Sequence, residues 1–392
     1  MSILFEPLSI GCITVKNRFV RSAAIECAAT DDGRITEEYL AIYKRLAKGD
    51  IGLILPGNYF VQQNGRAHPR IPVLDNDDII KDLMKLTAII HAGNGKIFAQ
   101  LNHGGRLCDP HIIHEQPVAP SRVRVRIDGI TPRELSEKEI EDIINSFGDA
   151  ALRAKKAEFD GVQIHAAHGF LINQFLSAHT NRRKDKWGGN IENRMKFLIQ
   201  VYLNVRSKVG DDFPIAMKIN SVDYMKNGFN LEECIYVCKN MEKLGLGAIE
   251  VSGGTKEAGI STAKGGIPLD LALKYRTLKQ TLASLIYMRQ IKKASKFEDG
   301  FFLDNAAAIK KQVSIPVIAV GGMRKFNLME DAVKSHKTDM ISMARPFIRQ
   351  PNLITLYKED KVDRSSCLNC NRCAFETVVH YNPLRCHGAR ES

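Results

Sequence analysis

Tryptophan occurs once in this sequence, and no apolar stretch approaches the roughly 18 uncharged residues that a membrane-spanning helix requires. No G-x-G-x-x-G follows a strand-like run and no P-loop is present, so a doubly wound nucleotide-binding sheet lacks its usual signature. The scarcity of tryptophan argues against an aromatic cage for methylated ammonium groups. The opening "MSILFEPLSIGCITVKNRFV" has no basic segment ahead of an apolar one, and Glu6 interrupts it. It therefore does not read as a secretory signal, and a cytoplasmic location is expected. Lysine and arginine outnumber acidic residues 56 to 44, yet they are scattered and form no basic arm or nucleic-acid motif. The charge excess reads as a soluble surface; neither nucleic acid nor membrane is an expected partner.

With 392 residues, 44% of them hydrophobic, the chain can bury a large core. Apolar, β-branched runs recur at residues 18–23, 51–57, 96–101, 161–165, 214–220, 248–252, 316–321 and 339–344. Amphipathic stretches separate them. One, "SEKEIEDIINSFGDAALRAKKAEF", opens with Ser136 and Glu139 in capping-box spacing. Eight strands alternating with helices predict an α/β fold, a (β/α)₈ barrel, over residues 1–360. Between the sixth and seventh strands, residues 255–303 are too many for a loop and one helix. They read as a helical insertion at the mouth.

Functional groups of such barrels gather at the C-terminal ends of the strands. Those positions hold Gly57, Gln100, His165 with His168, Lys218, Ser252, Gly321–Gly322 and Ala344–Arg345. An amide offers donor and acceptor to a uracil-like edge, and a lysine offers charge to a ring that becomes anionic on reduction. Glycines and an arginine after the last two strands suit a phosphate. The set describes a pocket for a phosphorylated, redox-active heterocycle. The tail, residues 361–392, crowds Cys367, Cys370, Cys373 and Cys386 together, as ligands of zinc, ligands of an iron–sulfur centre, or disulfide partners. A reducing compartment favours metal over disulfides. Cys12, Cys27, Cys108, Cys234 and Cys238 form no obvious group.

The segments "NRFVRSAA", "QLNHGGR", "GVQIHAAHGFLINQFLSAHTNRRKDKWGGNIENRMKF" and "VIAVGGM…DMISMARPFIRQP", in this order, strongly resemble the old yellow enzyme family of FMN oxidoreductases. The tail spacing C-x₂-C-x₂-C-x₁₂-C resembles the iron–sulfur branch, which includes trimethylamine dehydrogenase and 2,4-dienoyl-CoA reductase. The resemblance implies a barrel that binds FMN, with Cys367, Cys370, Cys373 and Cys386 holding a 4Fe–4S cluster. It implies that Gln100 meets the flavin pyrimidine, Lys218 its N1 region, and Gly321, Gly322, Met323, Ala344 and Arg345 its phosphate. The backbone of Ala23, Ala24 and Ile25 would touch the ring system; many relatives have Thr or Cys where Ile25 stands. Gly57 belongs to the same cofactor-binding set.

His165 and His168 match the pair that grips a substrate oxygen, and they are the expected catalytic residues. Two positions later the family usually has a tyrosine that protonates the substrate; here Phe170 carries no hydroxyl. Tyr59, Cys27 and Tyr224 are other groups near the expected mouth. His103 and Arg106 read as loop architecture around Gln100, and Trp187 and Asn193 as a turn and helix start, with Asn193 supporting the histidine loop. The implied activity is reduction of a C=C bond in an α,β-unsaturated carbonyl compound, an enone or an enoyl or dienoyl thioester. Amine dehydrogenation or demethylation, and a role as electron-transfer subunit, are the alternatives. NAD(P)H is one electron donor in view. A separate electron-transfer protein or flavoprotein subunit is the other, because relatives with this tail continue into a second half. Homo-oligomer formation is left open.

Overall fold

Eight parallel strands close on themselves in the computed structural model, which describes residues 2–126, 129–273 and 296–388. They are β1 (Phe19–Arg21), β2 (Leu53–Ile54), β3 (Lys96–Asn102), β4 (Gly161–Ala166), β5 (Ile215–Asn220), β6 (Ala248–Ser252), β7 (Val317–Val320) and β8 (Met340–Met343). Each pairs with the next, and Ile341 of β8 lies opposite Phe19 of β1, which completes the (β/α)₈ barrel. Burial on both faces explains why these runs are apolar throughout rather than alternating.

Amphipathic helices cover the barrel. The longest among the described residues, α1 (Glu137–Lys156), begins with the capping box read from the sequence: Ser136 accepts from the Glu139 N–H while the Glu139 carboxylate reaches back. Glu137 and Glu139 occupy its first turn and Arg153, Lys155 and Lys156 its last, as the helix dipole favours. A hairpin of Leu8–Ile10 and Ile13–Val15, not foreseen from sequence, packs Ile10 and Val15 against Phe98, Ala216, Ala248, Ile318 and Met340. This plugs the N-terminal end of the barrel and leaves the C-terminal end for chemistry.

β1 and β2 are shorter than the sequence runs. The chain leaves the sheet there because Arg21 and Glu26 form a wholly buried ion pair at 3.0 Å, and the Gly57 N–H turns to Glu26 at 2.9 Å. Burial, set against the charge of Arg21, lifts the Glu26 pKa.

Of the expected insertion, residues 274–295 lie outside the described part. Its near end forms a 3₁₀ segment (Lys256–Ala263) and a single turn (Leu269–Ala272). The cysteine tail fastens this end. Asn371, in left-handed backbone at φ 59°, donates to Ala263 O at 2.8 Å and Gly266 O at 3.0 Å and accepts from Arg345 at 2.5 Å. Arg372 pairs with Asp270 through two bonds of 3.0 and 2.7 Å. Replacing Asn371 by glycine keeps the backbone conformation and deletes the amide. Amide exchange over residues 261–266 is then expected to accelerate about tenfold, the equivalent of one or two buried hydrogen bonds. Unchanged exchange would show that Arg372 and Asp270 suffice.

Candidate active site

The floor of the C-terminal mouth is a chain of buried polar side chains. Gln100 donates to Gln163 at 2.6 Å, and Gln163 donates to Glu250 Oε2 at 3.0 Å. Glu250 Oε1 accepts from Ser22 and Ser342, both at 2.7 Å. Lys218 donates to Ser22 at 2.8 Å and stands 3.3 Å from Glu250. Burial works against the Glu250 carboxylate, but Lys218 and the hydroxyl and amide donors outweigh it and hold the pKa below the usual range. The sequence reading missed Ser22, Gln163, Glu250 and Ser342. A lone carboxylate inside the apolar strand "AIEVS" was the available signal.

The histidines stand on β4 and the turn after it. His168 adopts φ 63°, and the Asn220 Oδ1 accepts its N–H at 3.1 Å. Asn173 accepts from Gly169 N–H at 2.8 Å and donates to the buried Asp223, so the turn is held from two sides. This support comes from Asn173 and Asn220 rather than Asn193, whose side chain bonds Lys196 at the surface. The His168 Nε2 lies 2.8 Å from Ser252 Oγ. His165 Nδ1 accepts from Ala167 N–H at 3.3 Å, which leaves the proton of a neutral ring on Nε2. The two rings meet edge to face at 5.1 Å, and Phe170 packs 5.0 Å from His165. Burial, followed by the Lys218 charge, holds the His165 pKa well below 6.5. Burial, His165 and Lys218 do the same for His168.

A cavity of about 260 Å³ opens above this floor. Ala23, Ala24, Ile25 and Gln100 line one side, and His165, His168 and Lys218 the next. Gly321, Gly322, Met323, Ala344 and Arg345 complete it. Gly57 stands apart from this lining, because its N–H serves Glu26. Gly321 and Gly322 have φ of 110° and 74°, and a Cβ on Gly322 would sit 2.5 Å from Glu298 O. Only glycine lets the 298–302 segment close on this strand end. The Arg345 guanidinium bonds Ala263 O, Lys264 O and Asn371 and so braces the insertion.

None of the three other proton-donor groups lines the cavity. Tyr59 is buried against Tyr39, Tyr224 is 41% exposed, and burial pushes the Cys27 thiol up to about 12. Arg106 pairs with Glu257 at 3.1 Å, and burial pushes His103 down to about 3; both shape loops. Cys234 and Cys238 lie in the core.

Cys367, Cys370, Cys373 and Cys386 line a second, smaller cavity, which shares Cys373, Arg345 and Ile348 with the first. Burial raises the Cys367 thiol and pushes Cys373 up to about 12, while Arg345 favours their thiolates. Among the described residues no three such donors are close enough for a single metal ion. Four thiols around one small cavity, with the Arg345 guanidinium beside it, are the chemical type of donor set that an iron–sulfur centre uses.

The profile of the NADH:flavin oxidoreductase / NADH oxidase family matches residues 3–264 and 271–363. An NADH oxidase of Thermoanaerobacter brockii is 33% identical over 387 residues, 98% of this chain and 55% of that protein. A cinnamate reductase of Clostridium sporogenes is 32% identical over 399 residues, 98% of this chain and 57% of that protein. Among solved structures, a 2-naphthoyl-CoA reductase superposes with a TM-score of 0.86 at 26% identity, covering 98% of this chain and 56% of its own. The chain thus spans about half the length of these relatives. With an eight-stranded parallel barrel, a polar floor and a buried histidine pair at its C-terminal mouth, the chain belongs to the NADH:flavin oxidoreductase / NADH oxidase family.

Proposed function

We propose that this chain is the FMN- and iron–sulfur-binding part of an oxidoreductase that reduces the C=C bond of an α,β-unsaturated carbonyl compound. The observation that carries the reading is the pair of buried, neutral histidines opening on the same cavity as Gln100 and Lys218. The cavity suits a flavin: an amide and an ammonium lie at its floor, and a glycine cradle ends β7. Gln100 and Lys218 would hold the pyrimidine side, and Gly321, Gly322, Met323 and Ala344 the phosphate. When bound, reduced FMN supplies a hydride. His165 and His168 hold the substrate carbonyl oxygen and draw electron density from the conjugated double bond. The β-carbon would then be the hydride acceptor, and the α-carbon would take its proton from water. Phe170 cannot be the source of that proton, which separates this site from tyrosine-bearing relatives.

Residues 1–360 form the FMN barrel in this reading, and residues 361–392 a segment that holds a 4Fe–4S cluster through its four cysteines. The cluster would exchange electrons with a separate protein or flavoprotein subunit, with NADH as the ultimate donor, in the cytoplasm. No described helix is long and apolar enough to cross a membrane. The names of two relatives, a cinnamate reductase and a 2-naphthoyl-CoA reductase, support a conjugated carboxyl derivative as substrate.

The test is anaerobic purification, with flavin, iron and acid-labile sulfide quantified on one sample. Chemically reduced protein is then mixed with an enone, a cinnamate and an enoyl thioester. About four iron and four sulfide per FMN, with flavin reoxidation by at least one substrate, is expected. Reoxidation by none of them, with bleaching of the oxidised protein by amines, would replace this reading with amine dehydrogenation.

A further inference from the structure

Asp223 is 1% exposed, and among the described residues no cation pairs with its carboxylate. A buried charge is costly unless hydrogen bonds satisfy it, so its presence behind the histidine turn calls for a physical reason. Its partners are neutral donors. Asp223 Oδ1 accepts from Asn173 Nδ2 at 3.1 Å and from Asn220 Nδ2 at 2.8 Å, and Oδ2 accepts from the Phe229 N–H at 2.9 Å. The Asp223 N–H in turn donates to Phe229 O at 2.9 Å, which closes the loop that carries the carboxylate.

Both asparagines face the histidine turn with their other end. Asn220, the last residue of β5, accepts the His168 N–H, and Asn173 accepts the Gly169 N–H. These N–H groups belong to consecutive residues in left-handed backbone, at φ 63° and 84°. For a histidine that conformation is costly and persists only where the surroundings fix it. An amide can present either its oxygen or its NH₂ to a neighbour, whereas a carboxylate only accepts. The Asp223 oxygen therefore draws both NH₂ groups to itself and turns both amide oxygens toward the turn. Asn220 has a further acceptor in Gly254 O at 3.0 Å; the Asn173 NH₂ has Asp223.

We propose that Asp223 is a positioning residue for the histidine pair. By fixing the amide orientations of Asn173 and Asn220 it holds the backbone of His168 and Gly169, and with it the His168 ring between His165 and Ser252. Asp223 is not part of the main cavity's lining, so its influence on a bound substrate passes through His168. A small displacement of a group that grips the substrate lowers the rate of reaction far more than it disturbs the fold. This inference rests on the proposed function.

The test uses flavin-loaded, chemically reduced protein at pH 8, because burial raises the Asp223 pKa. Asp223→Asn keeps the shape and puts an NH₂ group where the carboxylate only accepts. Flavin reoxidation by cinnamaldehyde is expected to slow about 10–100-fold. Reoxidation by ferricyanide, which needs no gripped oxygen, should keep its rate. Amide exchange over residues 167–170 should accelerate about tenfold, the counterpart of one lost hydrogen bond. In a His168→Ala background the same substitution should change the cinnamaldehyde rate little, because the two residues act as one unit. Asn173→Ala removes one arm and leaves the carboxylate; it should reproduce the slowing in weaker form, and it gives the answer if Asp223→Asn fails to fold. An unchanged cinnamaldehyde rate, equal slowing with ferricyanide, or an undiminished effect in the His168→Ala background overturns the positioning role. If ferricyanide reoxidises the wild type and no unsaturated carbonyl compound does, the ene-reduction reading falls. Unchanged exchange over residues 167–170 is then the result that overturns the hold of Asp223 on the turn.

Discussion

Replacing His165 and His168 together by alanine is expected to lower turnover of an unsaturated carbonyl substrate by about 10²–10⁴-fold, with flavin content retained. The pair is placed to donate, not to accept charge: His165 Nδ1 takes the Ala167 N–H, so Nε2 carries the proton, and Ser252 meets His168. Both rings titrate well below 6.5 because burial, aided by Lys218, penalises the imidazolium. Histidine ionisation should therefore put no break in kcat/KM between pH 6 and 8. The same shift acts on stability. Below an unfolded-state value of 6.5 the unfolded chain binds protons that the folded one does not, so folding stability rises with pH there and is lost as the pH falls. Each histidine contributes up to about 1.4 kcal/mol per pH unit across that window. The double alanine variant should lose less stability than wild type between pH 7 and pH 5.5, measured by urea unfolding. Loss of activity without this change in acid sensitivity would mean that the rings are hydrated in the folded protein.

How much of this was legible in the sequence depended on how local each cause is. The barrel strands were visible because strands covered on both faces need continuous apolar runs, and "KIFAQLN" and "GVQIHA" have them. The helix start at Ser136 was visible because a capping box is written within four residues. The N-terminal hairpin was not, since two three-residue strands are too short to show a period. Strand-end positions and the family motifs together pointed to Gln100, Lys218 and the histidines, which line the cavity. Gln163 and Glu250 escaped because their partners are distant in sequence: Gln163 bonds Gln100 of β3 and Glu250 of β6, and Glu250 also answers Ser22 just past β1, Lys218 of β5 and Ser342 of β8. Gly57 misled for a related reason. It follows β2 as expected, but the buried Glu26, 31 residues earlier, claims its N–H. The tail helix (Arg372–Val378) as a wall of the main cavity has no local signature at all. It follows from Arg372 and Asn371 meeting a segment about 100 residues away.

The substitution Glu250→Gln is expected to destabilise the protein by about 3–5 kcal/mol, the usual cost of stripping one partner from a buried ion pair. Glu250 is fully buried and answers four groups at once: Ser22, Ser342, Gln163 and the ammonium of Lys218. Glutamine matches its shape and can still accept hydrogen bonds. However, it removes the charge that faces Lys218 and presents an amide donor to hydroxyls and an amide already donating. Reversing the other partner separates these causes. In the Lys218→Met, Glu250→Gln double variant no buried charge is left unpaired, so part of the loss should return, and thermal unfolding of the wild type, the two single variants and the double variant gives the coupling directly. A single-variant loss below about 1 kcal/mol would show that the hydroxyls and amides sustain the floor without the charge. Acid should reveal the same carboxylate. Its pKa lies lower in the folded chain than in the unfolded one, so the folded state sheds its proton more readily. That contribution is complete above the unfolded value and disappears as the pH falls through the folded one. The wild type should lose this increment on acidification, and Glu250→Gln, having no carboxylate to protonate, should not. Because Lys218 and Gln100 belong to the same network, the variant should also bind flavin more weakly. The destabilisation and the weakened binding then have one origin, a floor whose charge balance was set before any cofactor arrives.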